Sequence, residues 1–117
     1  MNAESVKELA VRMGLRMFTC KTYNGQPATW AYLTDGTRIA SVQWGGYGDR
    51  VSSVHIPAQP VGTGYVIADE ITEATVNEAL AGAPHWATPS DRRNTRPFKD
   101  WDTFTKSSQF NSKYFEV

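Results

Sequence analysis

Thr22-Tyr23-Asn24-Gly25-Gln26-Pro27-Ala28-Thr29-Trp30-Ala31-Tyr32-Leu33-Thr34-Asp35-Gly36 is the stretch whose reading decides the fold, together with Gly45-Gly46-Tyr47-Gly48-Asp49 just beyond it. Asn-Gly and Asp-Gly supply the positive φ angles that tight hairpin turns demand, because glycine has no Cβ to clash and Asn and Asp tolerate the left-handed region. The residues between and around these turns can extend. Residues 16 to about 56 therefore read as an antiparallel meander.

With Asn24-Gly25 and Asp35-Gly36 as two-residue loops, Phe18 is expected opposite Ala31, Thr19 opposite Trp30, Ala31 opposite Ala40 and Tyr32 opposite Ile39. One face of the sheet then carries Phe18, Cys20, Ala31, Leu33, Ala40 and Val42. Trp44, Val54 and Ile56 join it if the glycine run closes the third hairpin symmetrically. The other face carries Met17, Thr19, Trp30, Tyr32, Ile39, Ser41, Gln43, Ser53 and His55, a mixture of aromatic and polar groups. Pro27 lacks an N–H, so pairing toward the third strand frays near it.

A helix precedes the meander. Ser5 and Glu8 have capping-box spacing, with Asn2 as an alternative cap; Val6, Leu9, Ala10 and Met13 share a face, and Gly14 stands where a left-handed cap belongs. We expect this helix to lie on the apolar face. After Pro57 and Pro60 the chain is expected to turn, and Gly64–Ala68 reads as a fifth strand. A second helix follows, with Thr72 as cap, Ile71 and Val76 as hydrophobic staple, Val76, Ala79 and Leu80 on one face, and Gly82 and Pro84 as stop. Residues from Ala83 to Pro97 read as a loop. A short helix is expected around Phe98–Thr105, and Lys113-Tyr114-Phe115-Glu116-Val117 as a last strand on a sheet edge. The whole is one α+β domain: a four- to five-stranded antiparallel meander with an N-terminal helix, a second helix after the sheet and a short C-terminal helix.

Composition narrows the function classes. The chain has 117 residues, 12 basic and 12 acidic, so the net charge of zero argues against a protein built mainly for nucleic acid. Its single cysteine, Cys20, allows no internal disulfide and points to a reducing compartment. We expect a soluble, cytoplasmic protein, with no segment approaching the length of a membrane span. Cys20, His55 and His85 show no metal-ligand spacing, and no general acid is placed opposite a base, so neither a metal, a cofactor nor an enzyme is expected. The glycine runs lie between strands or lead into one, unlike a phosphate loop at a helix N-terminus.

Two features remain as contact candidates. Arg92, Arg93, Arg96 and Lys99, near Trp86, Phe98 and Trp101, could grip an anion or nucleic acid, although Asp91, Asp100 and Asp102 are interleaved among them. Trp30 and Tyr32 could form a stacking platform or a protein hot spot. We favour their being covered by the C-terminal segments, because Trp101, Phe104, Tyr114 and Phe115 need partners; an open face would be the site.

Thr22-Tyr23-Asn24-Gly25-Gln26-Pro27-Ala28-Thr29-Trp30-Ala31-Tyr32 and Pro84-His85-Trp86-Ala87 resemble small accessory proteins carried by bacteriophages and other mobile elements. The resemblance implies a compact accessory protein, some of whose class bind and block a host defence enzyme; it transfers no catalytic residue. The function expected is a non-enzymatic protein-binding module, an inhibitor of a host defence or nucleic-acid-handling complex of anti-CRISPR or antirestriction type. Its contact residues would be Trp30, Tyr32, Arg92, Arg93 and Arg96. The alternative is a small nucleic-acid-binding module using the Arg92–Lys99 loop with aromatic stacking.

Overall fold

A computed structural model describes residues 1–45, 52–59, 64–82 and 96–117. Helix α1 spans Ala3–Arg12. Asn2, not Ser5, caps it: the Asn2 side chain accepts from the Ser5 N–H at 2.9 Å, and Ser5 Oγ accepts from the Asn2 N–H at 3.0 Å. Starting the helix at Asn2 puts a hydroxyl at the third position, where it can reciprocate, and so satisfies two otherwise orphaned N–H groups. Gly14, at φ +70°, ends the helix. There the Leu15 N–H reaches the Ala10 carbonyl at 2.8 Å and the Gly14 N–H reaches Val11 at 3.1 Å.

Strands β1 (Arg16–Thr19), β2 (Trp30–Thr34), β3 (Ile39–Gln43), β4 (Ser53–Gln59) and β5 (Gly64–Ala68) follow in an antiparallel meander. Helix α2 (Glu73–Ala81), the two-residue strand β6 (Arg96–Pro97), helix α3 (Trp101–Thr105) and strand β7 (Phe115–Glu116) complete the described elements. The strand order is β5-β4-β3-β2-β1-β7, with β6 paired to β4. The meander has the five strands β1 to β5, the tail joins a sheet edge as expected, with β7 on the free edge of β1, and the short β6 is an added pairing. No helix among the described residues is long and apolar enough to cross a membrane.

Both early hairpins depart from the expected register, with opposite consequences. In the first, Phe18 opposes Tyr32 and Met17 opposes Leu33. The Asn24-Gly25 turn sits inside a wider loop closed by the Thr22 N–H on the Gln26 carbonyl at 2.8 Å. An isolated bridge joins Lys21 to Pro27, and the Ala28 N–H reaches Cys20 O at 3.1 Å before regular pairing begins at Trp30. The resulting one-residue slip turns β1 over. Met17 enters the apolar core, while Phe18 moves to the aromatic face. Cys20 goes with Phe18, correcting its expected place beneath the helix.

In the second hairpin, Leu33 opposes Ala40 and Thr34 opposes Ile39. Asp35 Oδ1 accepts from the N–H groups of Thr37 (2.9 Å) and Arg38 (2.7 Å), and Thr34 Oγ1 donates to the Arg38 carbonyl at 2.7 Å. The carboxylate stabilises a loop of Asp35–Arg38, longer than the two residues expected. The slip is two residues, so every side chain keeps its face.

The third pairing sets Val42 opposite Val54 and Ser41 opposite His55. Residues 46–51 of its connection lie outside the described residues. Strand β4 runs on through Pro57, past the expected end of the meander near residue 56, because only an N–H is lost there and the Pro57 carbonyl still accepts from the Phe98 N–H at 3.1 Å. The antiparallel β5 follows, as expected, with residues 60–63 outside the described residues. Helix α2 follows its local signals: Thr72 and Thr75 cap each other at 2.9 and 3.1 Å, and Gly82 closes it at φ +65°.

The sheet is covered on both faces. On one, Val6, Leu9 and Ala10 of α1 and Val76, Ala79 and Leu80 of α2 bury against Met17, Leu33, Val42 and Val54. On the other, Phe98, Trp101 and Phe104 bury against Phe18 and Ile39, with Tyr32 and Phe110 packed beside them. Asp100 caps α3 through the Thr103 N–H at 2.8 Å, fixing where this short helix begins.

Candidate functional site

Trp30 and Tyr32 are half-buried beneath the C-terminal segment. Tyr32 stands edge-on to Phe104 with ring centroids 4.6 Å apart, and lies 5.3 Å from Tyr114. Trp30 Nε1 donates to the Tyr114 hydroxyl at 2.9 Å. Burial pushes the Tyr32 hydroxyl well above its ordinary value, with Tyr114 adding to the rise. Burial likewise raises Tyr114. This face is therefore an interior, and the two rings anchor the tail instead of forming an open platform.

Of the arginine cluster, Arg92 and Arg93 lie outside the described residues, and Arg96 pairs with Gln59 through β6. Among the described basic residues of that region, Lys99 is exposed. His85 and Trp86 also fall outside.

Ser53 and His55 sit two apart on β4, so they share a face, and Ser53 Oγ lies 2.6 Å from His55 Nε2. Burial lowers the His55 pKa. A serine nucleophile needs its histidine oriented by a third group; among the described residues no carboxylate hydrogen-bonds His55. The described residues hold no cluster of three or more metal-ligating side chains, and Cys20 is buried.

The exposed chemistry lies at the other end of β1. Pairing of Thr19 with Phe115 and the Val117 N–H on Met17 O (2.8 Å) bring the tail beside the first hairpin. Arg16 grips Glu116 through Nε and Nη2, both at 2.9 Å, and this pair lowers the Glu116 pKa. Lys21, Thr22, Tyr23, Lys113 and Phe115 thereby line one open concavity of about 650 Å³. Tyr23, beside the Asn24-Gly25 turn, is 99% exposed, and Phe115 is 45% exposed. Phe115 was expected to bury; alternation along β7 sends Tyr114 inward to Trp30 and leaves Phe115 facing out. Both lysines are exposed, and among the described residues no carboxylate lines the concavity.

Sequence reasoning missed this surface, since it depends on a pairing between residues almost a hundred positions apart. A local signal existed for the hairpin half: Lys21 and Tyr23 both stand just before the Asn24-Gly25 turn, amid polar and small residues. No protein-family model, curated protein or solved structure matches the chain.

Proposed function

We propose that this chain is a non-enzymatic protein-binding module that docks through Lys21, Tyr23, Lys113 and Phe115. The observation that carries the proposal is the near-complete exposure of Tyr23 beside Phe115 and two lysines in a single concavity. Exposed aromatic rings are costly to leave in water, and Tyr is enriched among residues that dominate interface energies. The partner is a folded protein that offers an apolar pocket for Tyr23 rimmed by Asp or Glu. Trp30 and Tyr32 serve this surface indirectly, by holding Tyr114 next to Phe115. The narrower version, an inhibitor of a host defence or nucleic-acid-handling complex, rests on the resemblance of two segments to mobile-element proteins and adds no contact residue.

The test is affinity capture from bacterial lysate with the wild-type chain and with Tyr23→Ala/Phe115→Ala, with and without nuclease. A discrete protein captured despite nuclease and lost in the variant supports the module. Capture that the variant leaves intact moves the interface elsewhere. Absence of any partner, together with no self-association, counts against the module itself.

A second reading has its own observation. Two exposed rings flanked by two lysines, with no acid among the described lining residues, are also what a single-stranded nucleic acid uses for stacking and phosphate contact. It predicts binding of a labelled oligonucleotide that weakens steeply with salt. No shift at low salt would dispose of it, and equally of nucleic-acid binding through the Arg92–Lys99 loop.

A further inference from the structure

The two cores meet at one end of the sheet around a cavity of about 450 Å³ that shares no residue with the docking surface. Ile56 and Leu80 come from the core beneath the helices, and Ile39 and Phe98 from the aromatic core. Space remains there because the last turn of α2 presents Ala79 and Ala81, and Gly82 then ends the helix. The volume falls within the roughly 300–1,000 Å³ common for small-molecule sites.

Among the described residues of the lining, the charged side chains are Arg38 and Lys99, both cationic and exposed. Asp35 forms an ion pair with Arg38 through Nε at 2.8 Å, so the terminal guanidinium nitrogens are the ones that would meet a ligand. Lys99 makes no ion pair among the described residues. Apolar walls with cations beside them complement a ligand that has the reverse arrangement, an apolar body ending in an anion.

We propose that this cavity binds a small amphipathic carboxylate, its hydrocarbon part between Leu80, Ile56 and Phe98 and its carboxylate between Arg38 and Lys99. Burial of the chain supplies the drive, and the two cations select the charged head over an uncharged one.

Decanoate is the probe, with decanol as its neutral counterpart, followed by titration calorimetry and by amide NMR shifts around Ala79 and Gly82. The expected result is saturable one-to-one binding of decanoate. Decanol binds at least about tenfold more weakly, and Lys99→Glu lowers decanoate affinity by a similar factor. Ala81→Trp, at an exposed helix position, fills the space and abolishes binding. Equal affinity for decanol, binding that does not saturate, or shifts that persist in Ala81→Trp would each overturn the proposal. Should Ala81→Trp not fold, the decanol comparison and Lys99→Glu decide alone. Neither readout involves Tyr23 or Phe115, so failure here leaves the docking surface untouched.

Discussion

Replacing Phe104 by alanine tests whether the second face of the sheet is a true core. Phe104 is 0% exposed and central among rings, with centroids 4.6 Å from Tyr32, 4.9 Å from Phe98, and 5.7 Å from both Trp101 and Phe110. Truncation removes the buried ring and leaves a cavity walled by other rigid rings, which collapse poorly. Buried Phe→Ala changes cost about 3–5 kcal/mol, and lost edge-to-face pairs place this site toward the upper end. Against a total of about 5–15 kcal/mol for a domain, that is a large share of the stability. Urea unfolding followed by far-UV circular dichroism would show the midpoint falling at nearly constant slope. Phe115→Ala is the control, because its ring is 45% exposed and its loss should cost under about 1 kcal/mol. A Phe104→Ala cost below about 1 kcal/mol would refute a packed core on this face, and with it the anchoring of the tail.

Tyr114→Phe removes the acceptor for Trp30 Nε1, and we expect a loss of about 1 kcal/mol with altered Trp fluorescence; an unchanged midpoint would show the clasp contributes nothing. Asn2→Ala deletes the α1 cap and should cost about 1 kcal/mol, readable in the same unfolding assay. His55 has a lowered pKa in the folded state, so the unfolded chain takes up its proton first as pH falls. Its contribution is therefore full above the ordinary histidine value of about 6.5 and is lost progressively below it. Urea midpoints should drop between pH 7.5 and pH 5, and His55→Asn should flatten the dependence; a parallel drop in the variant would assign it to other groups.

Elements with local signals were legible. Helix α2 shows this well: Thr72, Ile71, Val76 and Gly82 each act within one or two turns, and all four behave in the structure as their chemistry suggests. Trp101 and Phe104 were legible as rings in need of partners, and they find them against Phe18, Ile39 and Phe98. The candidate site was less legible. Trp30 and Tyr32 stood out as aromatic residues on a polar strand face, but their covering by Tyr114 and α3 depends on distant chain segments. Tyr23 carried a local signal of exposure from its place beside the Asn24-Gly25 turn, whereas Phe115 carried none.

Local chemistry is enough to specify an α+β chain with an antiparallel meander, the beginning and end of α2, and which residues are apolar enough to bury. These follow from backbone preferences at glycine and asparagine, cap hydrogen bonds, and apolar spacing, all of them interactions over a few residues. Tertiary structure alone decided the register of β1, and so whether Met17 or Phe18 faces the helices, because strand side chains repeat every two residues and a one-residue change in loop length inverts them. It also decided that the tail pairs with β1, since Arg16, Trp30 and Thr19 find Glu116, Tyr114 and Phe115 only once the intervening chain has folded.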